Sequence, residues 1–220
     1  MKRTFLKDIM KCWTAVLLAL LFVPCSTAFA DDTTTTPTQN SAGYYKISTA
    51  AQLKWFADKV NSGSLTINGV LTADINLADL DADYWKPIGL WGGSETSTTA
   101  TSTPFKGVFD GQNHVISGLV LRKESASGLF GLVEGGTISN VIVTGATMKT
   151  TFETDVTQDQ YGVGAVCGVA INGATIENCQ SKLTDILYIV HDDNKQKNIN
   201  YVGGIVGMLR QSTATGCSVD

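Results

Sequence analysis

Residues 105–143, FKGVFDGQNHVISGLVLRKESASGLFGLVEGGTISNVIV, decide the fold, because their centre, Gly128-Leu129-Phe130-Gly131, recurs twice downstream. The copies are Ala165-Val166-Cys167-Gly168 and Gly204-Ile205-Val206-Gly207, so that Gly131, Gly168 and Gly207 stand 37 and 39 residues apart. Each copy leads into a β-prone segment, at 138–143, 176–179 and 214–219, with the register slipping by one residue between copies. Self-similarity at such a period marks units that cannot bury an apolar face alone and do so by stacking on a neighbour. The expected fold class is all-β, a β-helix-like solenoid, in preference to a β-sandwich with Gly-rich turns. Its 22 glycines against 4 prolines suit such a chain, whose sharp corners need positive φ or close backbone approach.

Working outward toward the N-terminus, residues 1–30 read as a signal peptide. Lys2, Arg3, Lys7 and Lys11 give a basic start, residues 13–23 (WTAVLLALLFV) form an apolar run, and Ala28-Phe29-Ala30 suits cleavage. The run is too short for a membrane span of about 20 residues, so the expectation is a secreted or cell-surface chain with no transmembrane segment after cleavage. Lipid attachment at Cys25 competes with cleavage after Ala30, but Pro24 suits it poorly. Losing that segment leaves 12 basic against 19 acidic residues, a balance that repels phosphate backbones and argues against nucleic acid. Cys167, Cys179 and Cys217 remain. Small buried hydrophobes are the favoured reading of all three, and a Cys179–Cys217 bridge across stacked units is the competing one, since both occupy the repeat column of Val141.

Residues 31–43 form a Thr-rich polar linker, and 44–104 read as an N-terminal cap. Within it, Thr49-x-x-Gln52 is a capping box, Leu53, Phe56 and Val60 recur at helical spacing, and Gly63 is a stop, which predicts one amphipathic helix over 50–61. Residues 70–77 alternate as a strand. Asp79, Asp81 and Asp83 resemble the opening of a calcium loop, yet Tyr84 and Leu90 stand where the pattern needs Gly and Glu, so they read as a solvated acidic loop. Residues 92–104 are an exposed low-complexity insertion. Asp110-Gly111 marks a tight turn between β segments at 105–109 and 114–121, where Asp110 and His114 read as turn hydrogen-bonding groups rather than an acid–base pair.

The order of segments ISTAAQL, ADINL, WKPIG, FKGVFDGQNHVISGL and SGLFGLVEGGTISNVIV between Ile47 and Val143, with the two degenerate downstream copies, resembles bacterial secreted and surface proteins carrying the GLUG repeat. That repeat also occurs ahead of the catalytic region of immunoglobulin A peptidases. The resemblance implies a right-handed parallel β-helix-like solenoid over 105–220 with a short N-terminal capping helix, used as an extracellular module. It brings no catalytic, metal or cofactor-binding residues. The zinc pattern His-Glu-x-x-His of those peptidases is absent, the histidines being His114 and His191.

Between the copies, 146–161 and 183–201 read as hairpin excursions, the second with a charged tip at 191–195, where recognition would gather. The third copy stops at 217–220, inside the strand that its predecessors continue past. That predicts a solenoid continuing beyond Asp220. A non-catalytic adhesion or ligand-binding module, taking an extracellular glycan or protein, ranks first. A carbohydrate-processing enzyme, or the non-catalytic N-terminal part of a larger secreted peptidase, are the alternatives.

Overall fold

The computed structural model describes residues 35–92, 101–121, 126–152, 160–182, 184–190 and 199–220, which lie in one compact unit spanning residues 34–220. The expected signal peptide with Cys25, residues 93–100 of the insertion expected at 92–104, and the charged tip expected at 191–195 fall outside the described residues. Among the described residues the fold is mostly β, with parallel sheets and one α-helix. No helix among the described residues is long and apolar enough to cross a membrane.

The first strand, β1 (Tyr45–Ile47), is followed by α1 (Ala50–Asn61). Thr49 starts the helix by accepting from Gln52 N at 3.2 Å, and Gln52 Oε1 reaches back to Ser48 N at 2.9 Å, a reciprocal cap that fixes where the helix begins. Leu53, Phe56, Ala57 and Val60 are buried. Next come β2 (Gly69–Leu71), β3 (Ile75–Asn76) and a short 3-10 helix, Leu77–Asp79. The single strand expected at 70–77 is thus two strands of different sheets. After β4 (Val108–Asp110) and β5 (Val115–Ser117), the first repeat copy supplies β6 (Ala126–Ser127), β7 (Phe130–Glu134), β8 (Thr137–Ser139), β9 (Ile142–Thr144) and β10 (Thr147–Phe152). The second supplies β11 (Gln160–Gly164), β12 (Cys167–Ile171), β13 (Thr175–Glu177), β14 (Gln180–Lys182) and β15 (Asp185–Val190). The third supplies β16 (Ile199–Gly203), β17 (Val206–Arg210), β18 (Thr213–Thr215) and β19 (Ser218–Val219).

Equivalent strands of successive copies pair in parallel. One sheet runs β1-β2-β4-β8-β13-β18, another β19-β14-β9-β5-β3, and three smaller ones are β17-β12-β7, β16-β11-β6 and β10-β15. The pairings Phe130↔Cys167↔Val206 reproduce the 37- and 39-residue offsets read from the glycines. Three hairpins expected from the sequence are not formed among the described residues. β4 and β5 lie in different sheets despite Asp110-Gly111, the corner being turned by Gln112 and Asn113 at φ 51 and 61. In the two excursions, β10 pairs with β15 and β11 with β16. Each outgoing strand finds its partner one copy along rather than in its own return.

Of the two roles expected of the recurrent glycines, close backbone approach is the one they fill. Gly131, Gly168 and Gly207 do not have positive φ. A Cβ on Gly131 would run into Gly89 O and stand 3.0 Å from Ala126 O, and one on Gly168 would stand 2.5 Å from Ser127 N. They are the places where one sheet passes backbone-to-backbone over the preceding one. Positive φ is found at the corners instead, in the column Asn140, Asn178 and Gly216, at φ 54, 53 and 64, where a short amide side chain tolerates the left-handed region. Inside the sheets Phe56, Phe105, Phe109 and Phe130 pack together, with ring centroids 5.2–6.1 Å apart. The end of the expected linker is held in place: Asn40 Oδ1 accepts from Ala42 N and Tyr44 N at 3.0 Å, and Lys46 N donates to Thr38 O at 2.8 Å.

Candidate functional site

The segment Leu77 to Trp85 alternates lining and charged residues: Leu80, Ala82 and Tyr84 face a cavity of about 200 Å³, and Asp79, Asp81 and Asp83 between them are exposed. Asn76 positions the start of the segment by accepting from Ala78 N at 3.2 Å. Trp85 fixes its end: Trp85 N donates to Val120 O and the indole Nε1 to Leu129 O, both at 2.9 Å, and the residue is 4% exposed. Gly118, at φ +69, closes the floor, since a Cβ there would stand 2.6 Å from Asn76 Oδ1 and 2.8 Å from Ala78 N. Leu77 and Val120 complete the walls. Tyr84 and Val120 are two of the five large hydrophobic side chains exposed among the described residues, at 39% and 43%. Two exposed apolar side chains at one concave site are a sign of binding, where singly scattered ones are not. At this size the cavity takes one side chain or one ring, being smaller than the roughly 300–1,000 Å³ of drug-sized pockets.

The acidic run was legible in the sequence, but its alternation with Leu80, Ala82 and Tyr84 was not read as a wall. Among the described residues, no group of three His, Cys, Asp or Glu side chains is placed to hold a metal ion. Asp79 instead accepts from Asn76 Nδ2 at 3.1 Å.

A second surface is the outward face of the six-stranded sheet. There Val70, Asp110, Ser139, Glu177 and Thr215 stand in one row, and Val108, Thr137, Thr175 and Thr213 in another. The fold brings Asp110 into the row of Glu177, two strands away, which spacing alone did not show. Two strand spacings amount to about 9.5 Å, near the separation that inverting glycoside hydrolysis uses. Asp110 is already engaged, however. It accepts from Gln112 N at 3.0 Å and Asn140 Nδ2 at 2.9 Å, and pairs with the Gln112 side-chain amide. It is a turn group, as the sequence suggested. His114 is not its partner: His114 Nδ1 lies 3.0 Å from Asp74 Oδ1, which also accepts from Val115 N at 2.9 Å. The Val115 amide first, then His114, hold the exposed Asp74 carboxyl below its ordinary value. Glu134 is likewise lowered, by Lys106 at 2.8 Å and then by Asn172 at 3.0 Å.

No protein-family model and no curated protein matches the chain. Its structure is similar to that of a Bacteroides ovatus protein described as a candidate immunoglobulin A1 protease, at 17% sequence identity and a TM-score of 0.43. That similarity covers 82% of this chain and 65% of the other, so this chain spans less than two-thirds of that protein's length.

Proposed function

We propose that the chain is a non-catalytic, extracellular binding module in which a right-handed β-helix-like solenoid, capped by α1, presents the cavity beside Tyr84 to a ligand. The in-register parallel pairing of successive copies supports the solenoid reading. The basic and apolar character of residues 1–30 supports secretion to the cell surface or beyond. The observation that carries the binding reading is the convergence of exposed Tyr84 and Val120 on one concave site whose shape is fixed by Trp85 and Gly118. Aliphatic walls from Leu77, Leu80 and Val120 suit an apolar side chain of a protein partner better than a sugar, whose hydroxyls would be left unpaired against them. The test is an array of extracellular proteins and glycans probed with the chain and with Tyr84→Ala. A protein ligand should lose at least about tenfold in affinity with the variant, the worth of one well-placed aromatic contact. A ligand that binds Tyr84→Ala as well as the parent would place recognition elsewhere, and turnover of a polysaccharide would replace the binding reading by the enzymatic one.

A further inference from the structure

Cys179 and Cys217 lie at equivalent positions of adjacent copies, just before the paired residues Gln180↔Ser218, and Ser218 N donates to Cys179 O at 3.0 Å. Their sulfurs make matching contacts. Cys179 Sγ donates to Glu177 O at 3.3 Å and lies 3.9 Å from Ile138 O. Cys217 Sγ donates to Thr215 O at 3.5 Å and lies 3.8 Å from Ile176 O. Matching contacts mean that both thiols leave their backbones in the same direction, one above the other. Neighbouring strands run about 4.7–4.9 Å apart, inside the Cα window of about 4.4–6.8 Å that a disulfide requires. Cys179 is buried and Cys217 half-buried, so a reagent reaches the pair from Cys217. Cys167 is an internal control. It is fully buried, its thiol donates to Val169 O at 3.3 Å, and its column neighbours are Phe130 and Val206.

We propose that Cys179 and Cys217 form a modification site that closes as a disulfide between the last two copies when the protein meets a small disulfide oxidant of the glutathione type. The sequence favoured three thiols packed as small hydrophobes; the matched geometry makes two of them a pair. The Cys217 sulfur attacks oxidised glutathione, forming a mixed disulfide and expelling one glutathione, which takes up the Cys217 proton. The Cys179 sulfur then attacks the Cys217 sulfur, gives up its proton and expels the second glutathione. One disulfide is reduced to two thiols as two thiols are oxidised to one disulfide. Burial pushes the Cys179 thiol up to about 12, so the second step is the slow one. Closed, it ties the third copy to the second.

The experiment incubates the full chain with oxidised glutathione under native conditions, then denatures it, alkylates the remaining thiols and maps the peptides by mass spectrometry. The expected result is a Cys179–Cys217 linked peptide with Cys167 alkylated, a bridge that is lost in Cys217→Ser and retained in Cys167→Ser. Closure should also raise the melting temperature of the parent by roughly 5–10 °C. Cys217 halted as the glutathione adduct beside a free Cys179, or both residues alkylated after prolonged exposure, would overturn the proposal. Because the readout is a covalent linkage in the parent chain, it is independent of whether the cavity beside Tyr84 binds anything.

Discussion

Ile138 and Ile176 are fully buried, whereas Ala214, in the same row one copy further on, is exposed. Val143 and Ser181 are likewise fully buried and Val219 is 57% exposed. Phe130 and Cys167 are fully buried and Val206 half-buried. The three copies share a pattern of sequence, yet the third, paired on one side only, leaves more of it exposed and keeps Ile205 and Met208 buried. Toward the N-terminus, Phe56 of α1 packs on Phe105 and Phe109 at 6.1 and 5.7 Å. Burial is therefore a property of the neighbouring strands as much as of the residue.

The largest effect should come from emptying the aromatic end. Phe130→Ala should cost about 3–5 kcal/mol, because its ring packs on Phe105 and Phe109 at 5.2 Å each. Val219→Ala, at the exposed end, should cost less than about 0.5 kcal/mol. Chemical denaturation of the two variants measures the contrast, and equal losses would break it.

Gly131→Val comes next, at about 1–3 kcal/mol or more. The cause is collision of the new Cβ with Gly89 O and Ala126 O rather than an inaccessible φ. Gly207→Val meets backbone as well, at Val163 N and Gly168 O, but its copy is covered on one side only and can shift. The fall in melting temperature should be smaller at Gly207 than at Gly131. The reverse order would mean that the third copy is held as firmly as the first.

The smallest effect is electrostatic. Glu134 titrates below its ordinary value in the folded chain, chiefly through Lys106 and then through Asn172. Its stabilising contribution is thus fully present above the unfolded value of about 4.3, and it is lost as the pH falls through the lower folded value. With the Glu134 side chain 31% exposed, that contribution is roughly a few tenths of a kcal/mol. Glu134→Gln should remove this part of the pH dependence below about pH 5, as followed by unfolding at pH 7 and pH 3. An unchanged pH profile would mean that Lys106 and Asn172 add nothing there.

Local chemistry made some of this readable in advance. The bounds of α1 followed from Thr49, Gln52 and the spacing of Leu53, Phe56 and Val60, because a helix start is satisfied within four residues. The stacking register followed from the glycine offsets, because parallel neighbours must repeat the same close approach. The role of Asp110 as a turn group was also legible, since its donors Gln112 and Asn140 sit at corners.

What the sequence by itself determined was therefore the period of the copies, the capped helix and the β character of the rest. Tertiary structure decided the partners. Asp110-Gly111 signals a turn but cannot tell a hairpin from a corner between two parallel sheets, because that choice rests on strands 27 to 40 residues away, such as Val115↔Ile142 and Gly69↔Phe109. The same distance hid the cavity, whose walls join Leu80 and Tyr84 to Gly118 and Val120, and hid the pairing of His114 with Asp74. Short-range preferences fix where a chain bends. Which surfaces then meet is set by the apolar area and backbone hydrogen bonds satisfied when one layer covers the next.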